Sequence, residues 1–301
     1  MFTIQSMNSS TTEQPLLMPK IWPSPAKINL FLHINSKRED GYHNLQTIFQ
    51  LLDYYDELTF SPTQDGVITR VSGNENVPEE IDLIVKAAKA LQQATGTGLG
   101  VDISVVKRIP TGGGLGGGSS NAATTLIALN QLWNTQYSNQ QLSEIGLSLG
   151  ADVPIFIAGH SAWAEGVGEV LTPMSLPKHY FLVVSINKHI STGEIFSHKA
   201  LTMTPLIGKI CDFSELINPH NDCLEAAIDL EGEVDLEGEV LEALEHLKSS
   251  ENYLYQPRMT GTGSCVFVEF KHEKDALVAL DNLPKQWSGF VAQALNTSPK
   301  P

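Results

Sequence analysis

Residues 112–118 read Gly-Gly-Gly-Leu-Gly-Gly-Gly, with Pro110 and Thr111 before them and Ser119 and Ser120 after. A strand-like run, residues 101–109, leads in. A helix-like run, residues 121–133, leads out, with Ala122, Ala123, Leu126, Ile127, Leu129 and Trp133 on roughly one face. Strand, glycine turn and helix in that order bring free backbone N–H groups and the positive end of a helix dipole to one concavity, which suits a phosphate. Glycine serves there because the chain must reach positive φ and because a ligand must come close to the backbone. A flexible linker would be flanked by polar, aperiodic sequence, and these flanks are patterned. No Asp or Glu occurs from Ile103 to Ser143, in a chain whose formal net charge is −15. Two common phosphate loops do not fit. Gly112-x-Gly114-x-x-Gly117 matches the dinucleotide fingerprint, but the first acid downstream is Glu144, too late to hold a ribose; the Walker pattern needs Lys where Gly118 stands. What remains is a loop that binds nucleotide phosphates through backbone N–H groups and serine hydroxyls.

Lys27 is the one charge in the apolar run at residues 26–34. Asp152 follows a helix end at Gly150, and Pro154 is expected to hold the intervening peptide extended. Taken singly, such a lysine can snorkel from a strand edge and such an aspartate can bond its own turn. Beside a phosphate loop they form a set for phosphoryl transfer. Loop and Mg²⁺ carry the phosphates, the lysine neutralises charge, and the aspartate orients or deprotonates a hydroxyl.

The elements that must position this set can be read in outline. At 301 residues and 32.8 kDa the chain has room for two cores. The acidic balance argues against a nucleic-acid surface while leaving room for a locally positive nucleotide pocket. Cys211, Cys223 and Cys265 are odd in number and lack a Cys-x-x-Cys pair, so neither a disulfide framework nor a zinc site is expected, and a cytoplasmic setting is. No apolar run reaches transmembrane length, and no signal peptide is expected. Residues 1–20 read as a disordered extension. Strands are expected at 26–34, 45–52, 57–60 and 67–71, and a helix at 81–94. Ser138 with Gln141 is a capping box opening a helix that stops at Gly150. Residues 162–171 read as two short strands broken by Gly166 and Gly168. A strand at 180–186 opens the second half, in which strands and helices alternate. Asn218-Pro219-His220-Asn221-Asp222 is a loop. Asp-Leu-Glu-Gly-Glu-Val occurs twice over residues 229–240, too short a repeat for a solenoid. A second glycine turn, residues 258–265, feeds a strand at 266–270. A helix at 273–280 and a strand at 290–294 complete the chain.

Three stretches resemble the three motifs of the GHMP kinases (galacto-, homoserine, mevalonate and phosphomevalonate kinases), in the same order. They are Pro23-Ser24-Pro25-Ala26-Lys27-Ile28-Asn29-Leu30, then residues 110–123, then Met259-Thr260-Gly261-Thr262-Gly263-Ser264. Within that superfamily, Asp40-Gly41-Tyr42-His43-Asn44-Leu45-Gln46-Thr47, Leu149-Gly150-Ala151-Asp152-Val153-Pro154 and Glu165-Gly166-Val167-Gly168-Glu169 resemble the 4-diphosphocytidyl-2-C-methyl-D-erythritol kinases of the non-mevalonate isoprenoid pathway. The resemblance implies an α+β, two-domain GHMP architecture. An ATP-binding domain like the second domain of ribosomal protein S5 would be followed by a ferredoxin-like domain; composition alone places the boundary, giving residues 21–164 and 165–297. The resemblance implies ATP and Mg²⁺ as co-substrate and cofactor, and transfer of the γ-phosphoryl group to the 2-hydroxyl of the cytidine-diphosphate sugar alcohol. Lys27 and Asp152 would be catalytic. Pro110, Thr111, Gly112, Gly113, Gly114, Leu115, Gly116, Gly117, Gly118, Ser119 and Ser120 would hold the nucleotide. Tyr42, His43 and Phe196 would surround the cytosine, with Asn29, Phe49 and Thr192 nearby. No side chain is assigned as a metal ligand. Asp82 stands where relatives carry Asn beside the adenine, and a carboxylate there accepts but cannot donate. On that reading Asp82→Asn would tighten ATP binding.

Two other readings stay open at this level: a GHMP kinase for a smaller alcohol, and a non-enzymatic S5-like RNA-binding module. An aromatic pair, Tyr42-His43, suits a stacked base and favours the cytidine substrate over the first. The charge and the presence of Lys27 together with Asp152 oppose the second. The expected partner is a small molecule, with no nucleic acid and no membrane. Monomer and homodimer are both open.

Overall fold

The computed structural model describes residues 20–75, 77–186, 190–210, 213–216, 218–234 and 238–301. The expected extension at residues 1–20 falls almost wholly outside the described residues, as does the middle of the hexapeptide duplication, residues 235–237.

Two long antiparallel strands, β1 (Trp22–Lys37) and β2 (His43–Thr63), form the spine. The apolar run behind Lys27 is buried along its whole length in β1. The sequence suggests two strands where β2 is one, because Asp53-Tyr54-Tyr55-Asp56 looks like a polar break. Asp56 is in fact buried, and its carboxylate accepts hydrogen bonds from the N–H groups of Arg108 (2.7 Å) and Ile109 (2.9 Å) and from Asn121 Nδ2 (2.9 Å), with the Lys107 ammonium against it. A fully satisfied acid can sit inside a strand. β2 also pairs with β4 (Gly100–Val106), which carries β3 (Ile68–Ser72) parallel at its other side, and with β5 (Ala162–Glu165), which forms a hairpin with β6 (Val170–Pro173).

Four helices close one core over these strands: α1 (Leu83–Thr95), α2 (Gly117–Leu132), α3 (Asn139–Leu149) and α4 (Val153–Ala158). The capping box at Ser138 and Gln141 is present at the start of α3. Pro154 does not hold the chain extended. It lies in the first turn of α4, where a missing N–H has no helical acceptor to lose, so proline is tolerated.

The C-terminal strands β7 (Tyr180–Ser185), β8 (Arg258–Met259), β9 (Val266–Phe270) and β10 (Ser288–Leu295) pair antiparallel in the order β10-β7-β9-β8. Counted from β7, that is the fourth, first, third and second strand, the ferredoxin-like arrangement. Helices α5 (Thr192–Ser197), α6 (Leu224–Val234) and α7 (Glu239–Lys248) fall between β7 and β8, and α8 (Glu273–Asp281) between β9 and β10. The far end of β10 crosses to β2, pairing Ala294 with Leu52 and Leu295 with Leu51, so the two strand groups make one continuous sheet. The boundary drawn by composition at residues 164/165 falls within β5.

Cys223 and Cys265 are buried and free, and burial pushes both thiols up to about 12, so they stay protonated and pack as small apolar groups. His33 on β1 is a buried polar group of another kind. Neither ring nitrogen has a hydrogen-bond partner, and the ring packs against His220 at 4.4 Å between centroids. Burial, followed by the charge of His220, lowers its pKa from 6.5 to about 4, against an opposing pull from Asp222. The unfolded chain therefore binds a proton on His33 that the folded chain refuses between those two values. The stability contributed is complete above 6.5 and is lost as pH falls towards 4, at up to about 1.4 kcal/mol per pH unit. We expect the melting temperature of the wild type to fall more steeply across that window than that of His33→Phe. Equal slopes would show that His33 is not the group responsible.

Candidate active site

β1 has one edge paired with β2, and the other edge takes up the segments that build a cleft. Lys27 N–H donates to Leu115 C=O (3.0 Å), and Asn29 N–H donates to Thr260 Oγ1 (2.9 Å). The first and second glycine turns thus hang on the same strand, two residues apart. The cleft between them has a volume of about 560 Å³, and the whole glycine loop from Pro110 to Ser119 lines it.

In the loop, Gly112, Gly114 and Gly116 all have positive φ (73°, 75° and 71°). Gly116 is the N-cap of α2 and offers no side-chain cap. The first helical bond runs from Ser120 N–H to Gly116 C=O (2.8 Å), so the N–H groups of Gly117, Gly118 and Ser119 have no acceptor within the helix. This is the arrangement that receives an anion. The helix starts four residues earlier than its apolar periodicity suggests, because the glycines themselves form its first turn. Ser119 faces the cleft. Ser120 does not: it is fully buried, and its hydroxyl accepts from Ser24 Oγ at 2.8 Å, which ties α2 to β1.

Lys27 and Asn29 share a face of β1, as the two-residue period requires. The Lys27 side chain is only 2% exposed, and its ammonium donates to Asn29 Oδ1 (2.7 Å) and Gly114 C=O (2.9 Å). Asp152 Oδ2 stands 3.2 Å from the same nitrogen and is 34% exposed, so the carboxylate reaches the cleft while the cation stays behind it. The Phe49 ring covers the ammonium at 5.4 Å. Asn29 is held in turn by Thr47, through Nδ2 to Oγ1 at 2.9 Å.

Phe49, Thr192 and Phe196 also line the cleft. His43 is buried and stacks on Phe196 with centroids 5.4 Å apart and planes 23° apart. Burial, with a smaller push from Lys37, lowers its pKa, so the ring is neutral at neutral pH. Tyr42 is 61% exposed, and neither it nor His43 lines the cleft, which His43 meets only through the Phe196 ring. Lys107, which was not singled out in the sequence, does line it, and its ammonium donates to Asn121 Oδ1 at 2.8 Å. The same ammonium is paired with the buried Asp56 carboxylate, so its charge is already balanced at the edge of the loop. Its position directly before Arg108 at the end of a strand-like run was the available signal.

The family model of the GHMP kinases N terminal domain matches residues 82–160. Over 282 residues the chain is 64% identical to a 4-diphosphocytidyl-2-C-methyl-D-erythritol kinase of Ruthia magnifica subsp. Calyptogena magnifica, covering 94% of this chain and 97% of the relative. It is 48% identical to the enzyme of that name from Cupriavidus metallidurans, over 92% of this chain and 93% of the other. The chain belongs to the 4-diphosphocytidyl-2-C-methyl-D-erythritol kinase family. Among solved structures, a 4-(cytidine 5'-diphospho)-2C-methyl-D-erythritol kinase superposes with a TM-score of 0.75 at 30% identity, over 91% of this chain and 99% of the other. The mevalonate kinase of Methanococcus jannaschii superposes with a TM-score of 0.64 at 15% identity, over 94% of this chain and all of the other, which shows the shared two-domain α+β fold. The chain is therefore a GHMP kinase that takes ATP as co-substrate.

In this kinase Asp82 has a structural task. It lines the cleft but is 2% exposed, and both carboxylate oxygens are taken up by protein donors. One accepts from Ile84 N–H (2.8 Å), making Asp82 the N-cap of α1. The other meets the Arg70 guanidinium and Asn74 Nδ2 (3.0 Å). Arg70 also donates to the carbonyls of Asn74 and Val77 (both 2.9 Å), fastening the loop between β3 and α1. The expectation that Asp82→Asn would tighten ATP binding gives way to a different one, a loss of folding stability. The amide would turn an NH₂ towards Arg70 and Asn74 and leave a buried guanidinium without its counter-charge. Breaking one side of a buried pair costs on the order of 3 kcal/mol. Denaturant unfolding should show that loss; an unfolding free energy within about 0.5 kcal/mol of wild type would reject it.

Proposed function

We propose that this kinase transfers the γ-phosphoryl group of ATP to the tertiary 2-hydroxyl of 4-diphosphocytidyl-2-C-methyl-D-erythritol, with Lys27 and Asp152 as the catalytic pair. The observation that carries the residue assignment is the 3.2 Å contact between the buried Lys27 ammonium and the partly exposed Asp152 carboxylate, beside the glycine loop. The α2 N-terminus would take the phosphates through the N–H groups of Gly117, Gly118 and Ser119. Asp152 would orient the acceptor hydroxyl and take its proton. Lys27 would hold the carboxylate in place and balance charge on the migrating group. The neutral, stacked His43–Phe196 pair supports an acceptor that carries a base, and speaks against homoserine or mevalonate.

Mg²⁺ fits this donor set. Among the described residues no cluster of three or more acidic, histidine or cysteine side chains gathers to form a closed cage. Mg²⁺ bound through nucleotide phosphates needs only one or two protein oxygens. Asp152 and the Ser119 hydroxyl are the candidates; a Cβ on Gly150 would lie 3.6 Å from Ser119 Oγ, next to the turn that bears Asp152. When bound, the ion would neutralise phosphate charge. Among the described residues no helix is long and apolar enough to cross a membrane. A cytoplasmic location is the reading that the free, buried thiols support.

Phosphorus NMR of a mixture of enzyme, ATP, Mg²⁺ and the cytidine-diphosphate alcohol tests the proposal. The expected result is ADP together with a new phosphomonoester resonance on the alcohol. ADP formation with homoserine or mevalonate, and none with the cytidine alcohol, would overturn it.

A further inference from the structure

The loop at residues 218–222, bland as sequence, connects two parts of the cleft. Leu32 N–H donates to His220 C=O (2.9 Å), Asp222 N–H donates to Leu32 C=O (2.8 Å), and Ile34 N–H donates to Asp222 Oδ2 (2.7 Å). The loop is thereby bound to the same edge of β1 that carries Lys27 and Asn29. From it Asn221, 6% exposed, reaches across to the second glycine turn. Its Nδ2 donates to the carbonyls of both Met259 and Gly261, each at 2.8 Å, while its Oδ1 accepts from Cys223 N–H at 2.9 Å. Both N–H bonds of this amide are in use, and its oxygen accepts one hydrogen bond.

The turn it holds touches the reacting region at four places. Thr260 Oγ1 accepts from Asn29 N–H (2.9 Å). Cys265 N–H donates to Gly113 C=O (3.2 Å). The Thr260 carbonyl lies against Gly114, whose own carbonyl accepts the Lys27 ammonium. Thr262 Oγ1 meets Thr192 Oγ1 (3.0 Å) across the cleft. We infer that Asn221 is a positioning residue for phosphoryl transfer: by bridging two carbonyls of the second glycine turn it sets the distance between the phosphate loop and the Lys27–Asp152 pair. The chemistry requires an amide there. Two carbonyls converging on one atom need a group with two N–H bonds, which an alkyl group or a carboxylate lacks. Asn221 touches none of the reacting atoms itself. This inference rests on the kinase reading above.

The test uses the full chain with ATP, Mg²⁺ and the cytidine-diphosphate alcohol. A misplacement of about 1 Å can cost on the order of 10²-fold in rate. Asn221→Ala should therefore lower kcat by roughly 10- to 100-fold, with a smaller change in either KM. Amide exchange should speed up at Cys265 and Lys27, whose N–H groups bond to the phosphate loop, and stay unchanged at Val183 in the middle of β7. Asp222→Asn is the control, since its side-chain bonds go to β1, to Thr202 and Thr204 and to the His220 ring, and not to the turn. It should lower the melting temperature while leaving kcat within a few-fold of wild type. If Asn221→Ala does not fold, Asn221→Ser, which keeps one donor, is read in its place and should lose less. A folded Asn221 variant with wild-type kcat, or equal kcat losses in the Asn221 and Asp222 variants, overturns the inference. A wild-type enzyme that does not phosphorylate the alcohol would overturn the kinase reading instead, and the exchange measurement would still report on Asn221.

Discussion

Asp152→Asn should lower kcat on the order of 10²–10⁴-fold and leave ATP affinity nearly unchanged. A tertiary alcohol is a crowded nucleophile and a very weak acid. It needs its oxygen in line with the γ-phosphorus and an acceptor for its proton. Asn keeps the shape of Asp152 and removes the acceptor. The structure adds a reason why the loss should report chemistry and not displacement. Lys27 keeps two further acceptors, Asn29 Oδ1 at 2.7 Å and Gly114 C=O at 2.9 Å, so it stays in place when the carboxylate goes. Lys27→Ala should also lower kcat. The double variant should lose far less than the product of the two single losses, because the pair acts as one unit. Steady-state kinetics on variants shown by melting to be folded decide the matter. The assignment fails if folded Asp152→Asn turns over the cytidine alcohol within a few-fold of wild type.

Gly114→Val carries the second large effect, by a route that the sequence does not reveal. From the glycine pattern alone, a side chain there should occupy phosphate space or be barred by a positive φ, in an otherwise intact fold. The structure aims it elsewhere. A Cβ at Gly114 would lie 2.1 Å from the Thr260 carbonyl oxygen and 3.0 Å from its carbon, both rigid backbone, at a φ of +75° that a β-branched residue avoids. Valine would push the second glycine turn off the first and displace the Gly114 carbonyl, which accepts from the Lys27 ammonium. Backbone strain and overpacking together should cost on the order of 3 kcal/mol. ATP affinity should fall by roughly tenfold or more, because the loop that carries the N–H groups loses its backing. Gly118→Ala is the contrast: its Cβ would meet only Leu83 Cδ1 at 3.4 Å, an ordinary contact, and should leave the melting temperature almost unchanged. Calorimetric ATP titration with a thermal scan checks both. A Gly114→Val protein that melts and binds ATP like wild type would remove this contact from the account.

Local rules determined a good deal of this protein from its sequence alone. The strand, glycine turn and helix order, the capping box at Ser138, and the placing of Lys27 and Asn29 on one strand face each follow from periodicity or from one residue's conformational range. Those properties are short-range, and a linear pattern records them directly. The tertiary structure decided which side of each residue meets which neighbour. Ser119 and Ser120 are adjacent and chemically identical, yet α2 turns one to the cleft and the other to Ser24. Asp82 reads as a nucleotide contact until Arg70 and Asn74 are seen to claim its carboxylate. Asp53 to Asp56 reads as a strand break until Lys107, Asn121 and two backbone N–H groups satisfy Asp56 in the interior. The Lys27–Asp152 contact, the seat of the second glycine turn on Gly114 and the bridge made by Asn221 all join segments far apart in the chain. Each depends on what covers the unpaired edge of β1. A strand's two-residue period says which side chains share a face, but carries no record of what packs against the strand's free edge. That edge, filled by two glycine turns and one asparagine-bearing loop, is where the geometry of the proposed catalytic pair would be set.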